Sequence, residues 1–144
     1  MTQPTVVVHL LPWEQAQARA YPIRLAVFVG EQGVPSELEL DEEDPLAWHA
    51  VAEYDGLSLG TARLQGDGKI GRMAVLKTYR HQGVASAMMN ALLDHGQRQG
   101  IKQFYLHAQI EALRFYEHFG FKANGPVFNE AGIAHQRMEL HIKS

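Results

Sequence analysis

The chain has 144 residues, 46% of them apolar and 20% charged, which is the mix of an ordinary globular protein. This composition excludes disorder or a collagen-like repeat as a description of the whole chain, and the length predicts a single domain over residues 1–144. Thirteen Lys and Arg against sixteen Asp and Glu give a net charge of −3, which argues against nucleic acid or an anionic membrane as a partner. Cys is absent, which excludes disulfides and thiolate chemistry.

Neither a membrane span nor a secretion signal is predicted. No apolar run approaches the roughly 20 residues that cross a bilayer. Residues 1–5 carry no Lys or Arg, and the apolar run over 6–11 is too short for the core of a signal peptide. We therefore expect a cytoplasmic protein, in keeping with its lack of Cys.

The first half of the chain predicts strands around one interrupted helix. A strand is expected over 5–11, then helix over 13–29 that Pro22 either kinks or divides in two, then an irregular segment over 30–45. Two strands, over 48–54 and 57–64, flank Asp55-Gly56, which is a strong hairpin signal. A further strand is expected over 69–76.

The second half predicts two helices that alternate with strands. A helix over 82–99 carries an apolar stripe at helical spacing, and Gly100 ends it. A strand over 103–108, a short helix over 111–119 and strands over 121–128 and 134–142 follow, the last two joined by a turn around Gly132. This order of elements predicts an α/β protein with a mixed sheet covered by helices.

One glycine pattern has two interpretations. The run from Gly66 to Gly71 is a literal Gly-x-Gly-x-x-Gly, which in dinucleotide-binding proteins opens a helix. Here a strand-like run follows it, so we expect a hairpin turn instead.

The most informative stretch runs from Ile70 to Ser86, where a strand ends, a short basic loop follows and a long helix begins. The first turn of a helix leaves about four backbone N–H groups unpaired, and the helix dipole adds positive potential there. Gly83 and Ala85 leave room for a phosphate to approach the backbone, and Arg80 adds a charged donor. The pattern predicts an anion site; the alternative is an ordinary helix N-terminus with small residues for packing.

Two motifs in this order resemble those of the GCN5-related N-acetyltransferase (GNAT) family. Arg80-x-x-Gly83-x-Ala85 resembles the family's motif A, Arg/Gln-x-x-Gly-x-Gly/Ala, and the run from Ala112 to Phe121 resembles its motif B, Ala-x-x-Phe-Tyr-x-x-x-Gly-Phe. Residues 23–35, 39–41 and 48–50 also resemble a branch of the family, so the resemblance covers nearly the whole chain. It implies the GNAT fold: a mixed six- or seven-stranded sheet flanked by helices and splayed between strands 4 and 5, with acetyl-CoA in the gap.

The resemblance also implies roles for individual residues. The backbone of Met73, Ala74 and Val75 is expected to pair with the pantetheine arm, with the N–H of Val75 polarising the thioester carbonyl. Gln109 matches a position that supplies a side-chain amide to the pantetheine, and Tyr116 matches a tyrosine that protonates the departing sulfur. The pyrophosphate is expected to bind the loop and first helical turn, namely Arg80, His81, Gln82, Gly83, Val84, Ala85 and Ser86.

Alternatives remain open at several of these positions. Tyr116 follows Phe115 and precedes Phe119 on one short helix, so it is either a general acid or an ordinary core aromatic. His49 and His107 lie on strands and either relay a proton at the acceptor site or are hydrogen-bonded histidines of the sheet.

The acceptor site is expected near the irregular segment. Six acidic residues lie between positions 37 and 44, where the family places its acceptor, and they either attract a cationic amine or form a solvated loop. Glu31 and Gln32 are further acceptor-site candidates. The alternation of side chains on the fourth strand leaves open whether Arg72 faces the substrate cleft or the opposite helix layer. The eight His residues are scattered without a His-x-x-x-His pair, so no metal site is predicted.

We therefore expect an N-acetyltransferase that moves the acetyl group of acetyl-CoA to an amine, on a small molecule first and on a protein lysine or N-terminus second. The amine attacks the thioester directly in a ternary complex. A non-catalytic acyl-CoA-binding module is the alternative from another functional class. The resemblance also allows a homodimer through the final strands.

Overall fold

The computed structural model describes residues 6–38 and 40–143, and its described strands form one sheet. The order across the sheet is β1-β2-β3-β4-β5-β7-β6. The strands are β1 (Val7–Pro12), β2 (Trp48–Tyr54), β3 (Leu57–Leu64), β4 (Lys69–Val75), β5 (Gln103–Gln109), β6 (Lys122–Glu130) and β7 (Ile133–His141). Neighbouring strands are antiparallel except β4 and β5, which are parallel. The predicted mixed sheet is therefore confirmed with seven strands; the expected start of the first strand at Thr5 lies outside the described residues.

The interrupted first helix is one continuous α-helix that widens at its end. Helix α1 (Trp13–Arg24) contains Pro22, and a π-helical segment (Leu25–Glu31) continues it without a break. Buried apolar side chains of α1, such as Ala20, pack against the sheet and keep the segment helical although proline lacks a donor. The widened segment carries the chain towards the centre of the sheet.

Helix α2 (Val84–Arg98) covers the centre of the sheet. Its predicted stripe is buried, with Met88 and Leu92 fully covered. The helix begins at Val84 rather than at 82, because Gly83 has a left-handed φ of 85° and lies outside the helix. Gly96 allows close packing, since a Cβ there would lie 2.5 Å from the Phe104 ring.

The predicted turns are confirmed and one helix is shorter than expected. Asp55 and Gly56 both have positive φ, as a tight hairpin between β2 and β3 requires. The glycine run beginning at Gly66 is the turn between β3 and β4, with no helix following it. The expected helix over 111–119 is a 3₁₀ turn (Ile110–Ala112) followed by α3 (Leu113–Glu117), because the chain tightens as it leaves β5.

The central feature of the sheet is the separation of β4 from β5. The two strands pair only at Lys69–Tyr105 and Ile70–Leu106, and then diverge. A bulge in β4 opposite β3 lies just beyond this point, with Arg72 in the left-handed region at a φ of 49°. The predicted splay is confirmed, and its physical origin is this bend in β4. Among the described residues, no helix is long and apolar enough to cross a membrane.

Candidate active site

The gap between β4 and β5 opens into a cavity of about 950 Å³. Its walls come from the two diverging strands, the loop and first turn of α2, the π-helical segment, and the α3 and β6–β7 region, together with Val34, Asp41 and Arg63. A volume of this size is typical of a site for a small molecule or a large cosubstrate. All of the residues expected to form a cosubstrate site except Gln82 line it.

The edge of β4 presents backbone groups to this gap. The carbonyl of Val75 accepts a hydrogen bond from Nε of Arg80 at 2.9 Å, whereas the N–H of the next residue, Leu76, bonds to Leu59 on β3. In an antiparallel strand the N–H and C=O of one residue point to the same side. The amide of Val75 therefore faces the gap, which is the direction expected for a group that polarises a thioester carbonyl.

The loop before α2 forms a concave backbone surface. His81 and Gly83 both have left-handed φ values, 63° and 85°. A Cβ added at Gly83 would meet no atom within 4 Å, so the space above it is open cavity. The amides of the first α2 turn have no partner within the helix, which makes this surface suited to an anion. Gln82 instead directs its side-chain amide to the carbonyl of Thr78, at 3.3 Å.

Arg80 is already engaged by a carboxylate. Its two terminal nitrogens donate to the carboxylate of Glu31 at 2.7 and 2.8 Å, and this hydrogen bond lowers the pKa of Glu31. The adjacent Gln32 accepts a hydrogen bond from Nε2 of Gln109 at 2.9 Å. Glu31 and Gln32 thus tie the end of the π-helical segment to both sides of the gap; Gln32 lines the cavity, whereas Glu31 does not.

Tyr116 lies in the cavity wall with its ring against Phe115 and Phe121, at centroid distances of 5.1 and 6.2 Å. Burial raises the pKa of Tyr116 to about 12. The phenol is therefore protonated throughout the neutral range and can donate a proton or a hydrogen bond. Phe115 and Phe119 pack together as expected, with ring centroids 5.2 Å apart.

Two residues of the acidic segment, Asp41 and Asp44, join an ion network with arginines, whereas Glu37, Glu42 and Glu43 are exposed to solvent. Asp44 is 1% exposed and accepts hydrogen bonds from Arg24 at 2.9 and 3.1 Å and from Arg63 at 3.0 Å. Asp41 accepts from Arg63 at 2.7 Å and from Arg72 at 3.0 Å. Burial acts to raise the pKa of both aspartates, but the guanidinium groups outweigh it and lower both. Since Asp41, Arg63 and Arg72 line the cavity, the side chain of Arg72 faces the cleft.

His49 does not belong to the cavity, so the expectation that it contacts the acceptor is wrong. It is 1% exposed on β2, its Nε2–H donates to the carbonyl of Asp44 at 2.8 Å, and its ring packs on Trp13. Burial lowers the pKa of His49, because the neutral imidazole is favoured in the core. The structure shows the alternative, a hydrogen-bonded histidine of the sheet.

His107 does lie in the cavity, where it meets two residues that sequence patterns missed. Glu130 and His135 line the same wall, and Glu130 bonds to His107 at 2.9 Å. Their approach depends on the β5–β7–β6 register, for which the local sequence holds no signal. Among the described residues, no group of three His, Asp or Glu side chains is placed to hold a metal ion.

Comparisons with known proteins agree with this geometry. A family model described as "Acetyltransferase (GNAT) domain" matches residues 14–142. A Bacillus subtilis (strain 168) protein whose name proposes an acetyltransferase is 39% identical over 87% of this chain and 89% of its own length. A second protein of that strain, named an uncharacterized N-acetyltransferase, is 38% identical over 87% and 92%. The crystal structure of an acyl-CoA N-acyltransferase from Pseudomonas aeruginosa superposes with a TM-score of 0.84 and 27% identity, covering 94% of this chain and 99% of that one.

The fold, the splayed strands and these relatives define an acetyltransferase. The chain belongs to the GCN5-related N-acetyltransferase family.

Proposed function

We propose that the protein transfers the acetyl group of acetyl-CoA to the nitrogen of a small-molecule amine. The observation that carries the proposal is the end of β4–β5 pairing at Ile70–Leu106, which exposes the β4 edge to a cavity that also contains the anion-suited loop. Acetyl-CoA has a pantetheine arm that can add to a strand edge and a pyrophosphate that suits a helix N-terminus.

The cavity fits this donor at both ends. The open space above Gly83 lets a phosphate reach the amides of Val84, Ala85 and Ser86 without meeting a side chain. At the other end the N–H of Val75 faces the gap, where it would bind the thioester oxygen as negative charge develops on it. Tyr116, protonated at neutral pH, is available to donate a proton to the departing sulfur.

The acceptor end of the cavity carries charges of both signs. Asp41 and Glu130 are carboxylates on its wall, and Arg63, Lys69 and Arg72 are cations there, with Asp41 already bonded to both arginines. The carboxylate of Glu130 favours an amine that arrives with positive charge, and the mixture disfavours a uniformly charged partner surface. A small amine is therefore the acceptor that we propose, ahead of a protein lysine or N-terminus.

Isothermal titration with acetyl-CoA, with ATP and NAD as controls, tests the donor. Micromolar binding of acetyl-CoA alone, about −8 kcal/mol, is the expected result. A panel of small amines and a lysine peptide, followed by release of CoA thiol, then tests the acceptor. Absence of acetyl-CoA binding would refute the proposal. Binding without thiol release above the blank with any amine would favour a non-catalytic acyl-CoA-binding protein.

A further inference from the structure

The wall of the cavity beyond the fork between β4 and β5 contains a histidine held by a carboxylate. His107 directly follows Leu106, the last β5 residue paired with β4. Its Nδ1 lies 2.9 Å from Oε1 of Glu130, and both residues line the cavity. We propose that His107 is the general base that removes the proton from the attacking amine, and that Glu130 positions it.

The hydrogen bond determines which nitrogen of His107 is basic. Burial acts to raise the pKa of Glu130, but its hydrogen bond to His107 and the nearby charges outweigh this and lower it. Glu130 is therefore a carboxylate at neutral pH and only accepts hydrogen bonds. Nδ1 must then carry the proton, which leaves the lone pair on Nε2. Among the described residues, no hydrogen bond to Nε2 is found, so this nitrogen is available to a substrate.

The ring of His107 is fixed by its neighbours. Phe128 packs edge-on against it at a centroid distance of 5.1 Å, and Tyr105 lies 6.5 Å away. The imidazole side chain nevertheless remains 25% exposed, so it is accessible from the cavity. A base that is held in one orientation but is still reachable is what proton transfer requires.

His135, the other histidine of this wall, is a poorer candidate. It is 6% exposed, and its Nδ1–H donates to the carbonyl of Ile133 at 2.7 Å. Its Nε2 lies 3.8 Å from Oε2 of Glu130, beyond hydrogen-bond distance. His135 lines the same wall as His107, but its side chain is much less exposed and therefore less accessible to a substrate.

The proposed step rests on the proposed function and completes its chemistry. An amine that arrives with positive charge first loses one proton to solvent. The neutral nitrogen then forms a bond to the thioester carbonyl carbon, and the second proton that it loses goes to Nε2 of His107. The C–S bond then breaks, and the thiolate takes a proton from Tyr116 or from water. The products are an N-acetylated amine and CoA thiol, and solvent restores both side chains to their starting protonation states.

Charged groups of both signs surround the ring. The titratable and charged groups that face His107 or its partner are Lys69 on β4, Tyr105 on β5, Glu130 on β6, and His135 and Arg137 on β7. A histidine accepts a proton only in its neutral form, so activity that depends on a histidine base should rise with pH.

Three glutamine variants test the assignment. His107→Gln removes the base, and Glu130→Gln removes its positioning carboxylate. His9→Gln is the matched control, because His9 also bonds a glutamate on another strand, Glu53, but does not line the cavity. Each variant is titrated with acetyl-CoA, and kcat is measured from pH 5 to 9 with the amine of the panel that turns over fastest. If no amine turns over, hydrolysis of acetyl-CoA is followed, since water needs the same base.

The expected results differ between the variants. His107→Gln should bind acetyl-CoA as the parent does, lose about 100-fold in kcat and lose the acidic limb of the pH profile. Glu130→Gln should lose about tenfold in kcat at unchanged acetyl-CoA affinity, because the imidazole is no longer held with its proton on Nδ1. His9→Gln should match the parent.

Each contrary outcome identifies what has failed. If the parent does not bind acetyl-CoA, the proposed function itself is wrong. If the parent binds and turns over but His107→Gln stays within about threefold with its acidic limb intact, only the base is wrong. If acetyl-CoA binds and neither aminolysis nor hydrolysis exceeds the blank, there is no reaction for a base to serve, and the assignment of His107 is overturned while donor binding stands.

Discussion

Gly83 is the position where the proposed donor site can be tested most directly. It has a φ of 85° immediately before α2, and a Cβ added there would enter empty cavity. Replacing it with valine puts three carbon atoms into the space where a phosphate would meet the backbone. We expect Gly83→Val to abolish acetyl-CoA binding while the protein still folds.

The magnitude follows from two separate effects. A left-handed backbone strains a non-glycine residue by roughly 1–2 kcal/mol, which corresponds to a decrease in Tm of about 3–7 °C for a chain of this size. Hydrogen bonds to a charged phosphate contribute about 1.5–3 kcal/mol each. Losing two of the bonds from Val84, Ala85 and Ser86 would weaken binding by at least about 100-fold.

Gly100 is a matched control at the other end of the same helix. Its φ is 87°, and a Cβ there also meets nothing within 4 Å, but it does not line the cavity. Gly100→Val should lower Tm by a similar amount and leave the acetyl-CoA Kd unchanged. Thermal unfolding and isothermal titration of both variants separate strain from blocking. A folded Gly83→Val protein that keeps the parent affinity would refute the phosphate-binding assignment of this loop.

Three further predictions concern the cavity wall and the ion network. Tyr116→Phe should lower kcat by about tenfold or more at unchanged acetyl-CoA Kd, and an unchanged kcat would contradict its role as the acid. Because burial raises the pKa of Tyr116 to about 12, the activity of the parent should not fall through loss of this proton below about pH 10. Asp44→Asn removes the buried carboxylate that both Arg24 and Arg63 bond, and it should destabilise the fold by about 3–5 kcal/mol in urea unfolding. Burial acts to raise the pKa of Asp44, but Arg24 outweighs this effect and lowers it. The parent should therefore keep this stability above about pH 4 and lose it as the pH falls. An unfolding midpoint that does not change between pH 5 and pH 3 would be inconsistent with the network. Glu31→Gln frees the terminal nitrogens of Arg80 and should tighten acetyl-CoA binding by up to about fivefold with a steeper salt dependence; weaker binding would show that the carboxylate helps to hold the donor.

Much of the fold follows from local pattern. The Asp55-Gly56 hairpin, the apolar stripe of α2 and the strands over 48–54 and 57–64 were predictable, because turn chemistry and hydrophobic periodicity act over a few residues. The course of the chain around Pro22 was not. Whether a proline divides a helix depends on what the helix packs against, and here the sheet holds α1 together and the next turn widens.

The loop from Arg80 to Ser86 and the helix that follows it were also predictable from sequence, since both depend on small residues and backbone within one short segment. That the loop binds an anion stays a prediction. The orientation of Arg72 was not predictable, because the alternation of side chains along a strand fails at a bulge. There a left-handed residue turns its side chain into the cleft. His49 was misassigned for a related reason: strand position alone does not say that the acidic segment folds back over it and buries it.

The sequence by itself determined the family and the order of the elements, and it contains the loop that we propose for the donor, because each of these depends on contiguous residues. Only the tertiary structure decided which side chains share the acceptor end of the cavity. His107 and Glu130 are 23 positions apart and meet because β7 lies between their strands and sets the register of both. The buried pairing of Arg24 with Asp44 likewise depends on a long-range approach that no local pattern encodes.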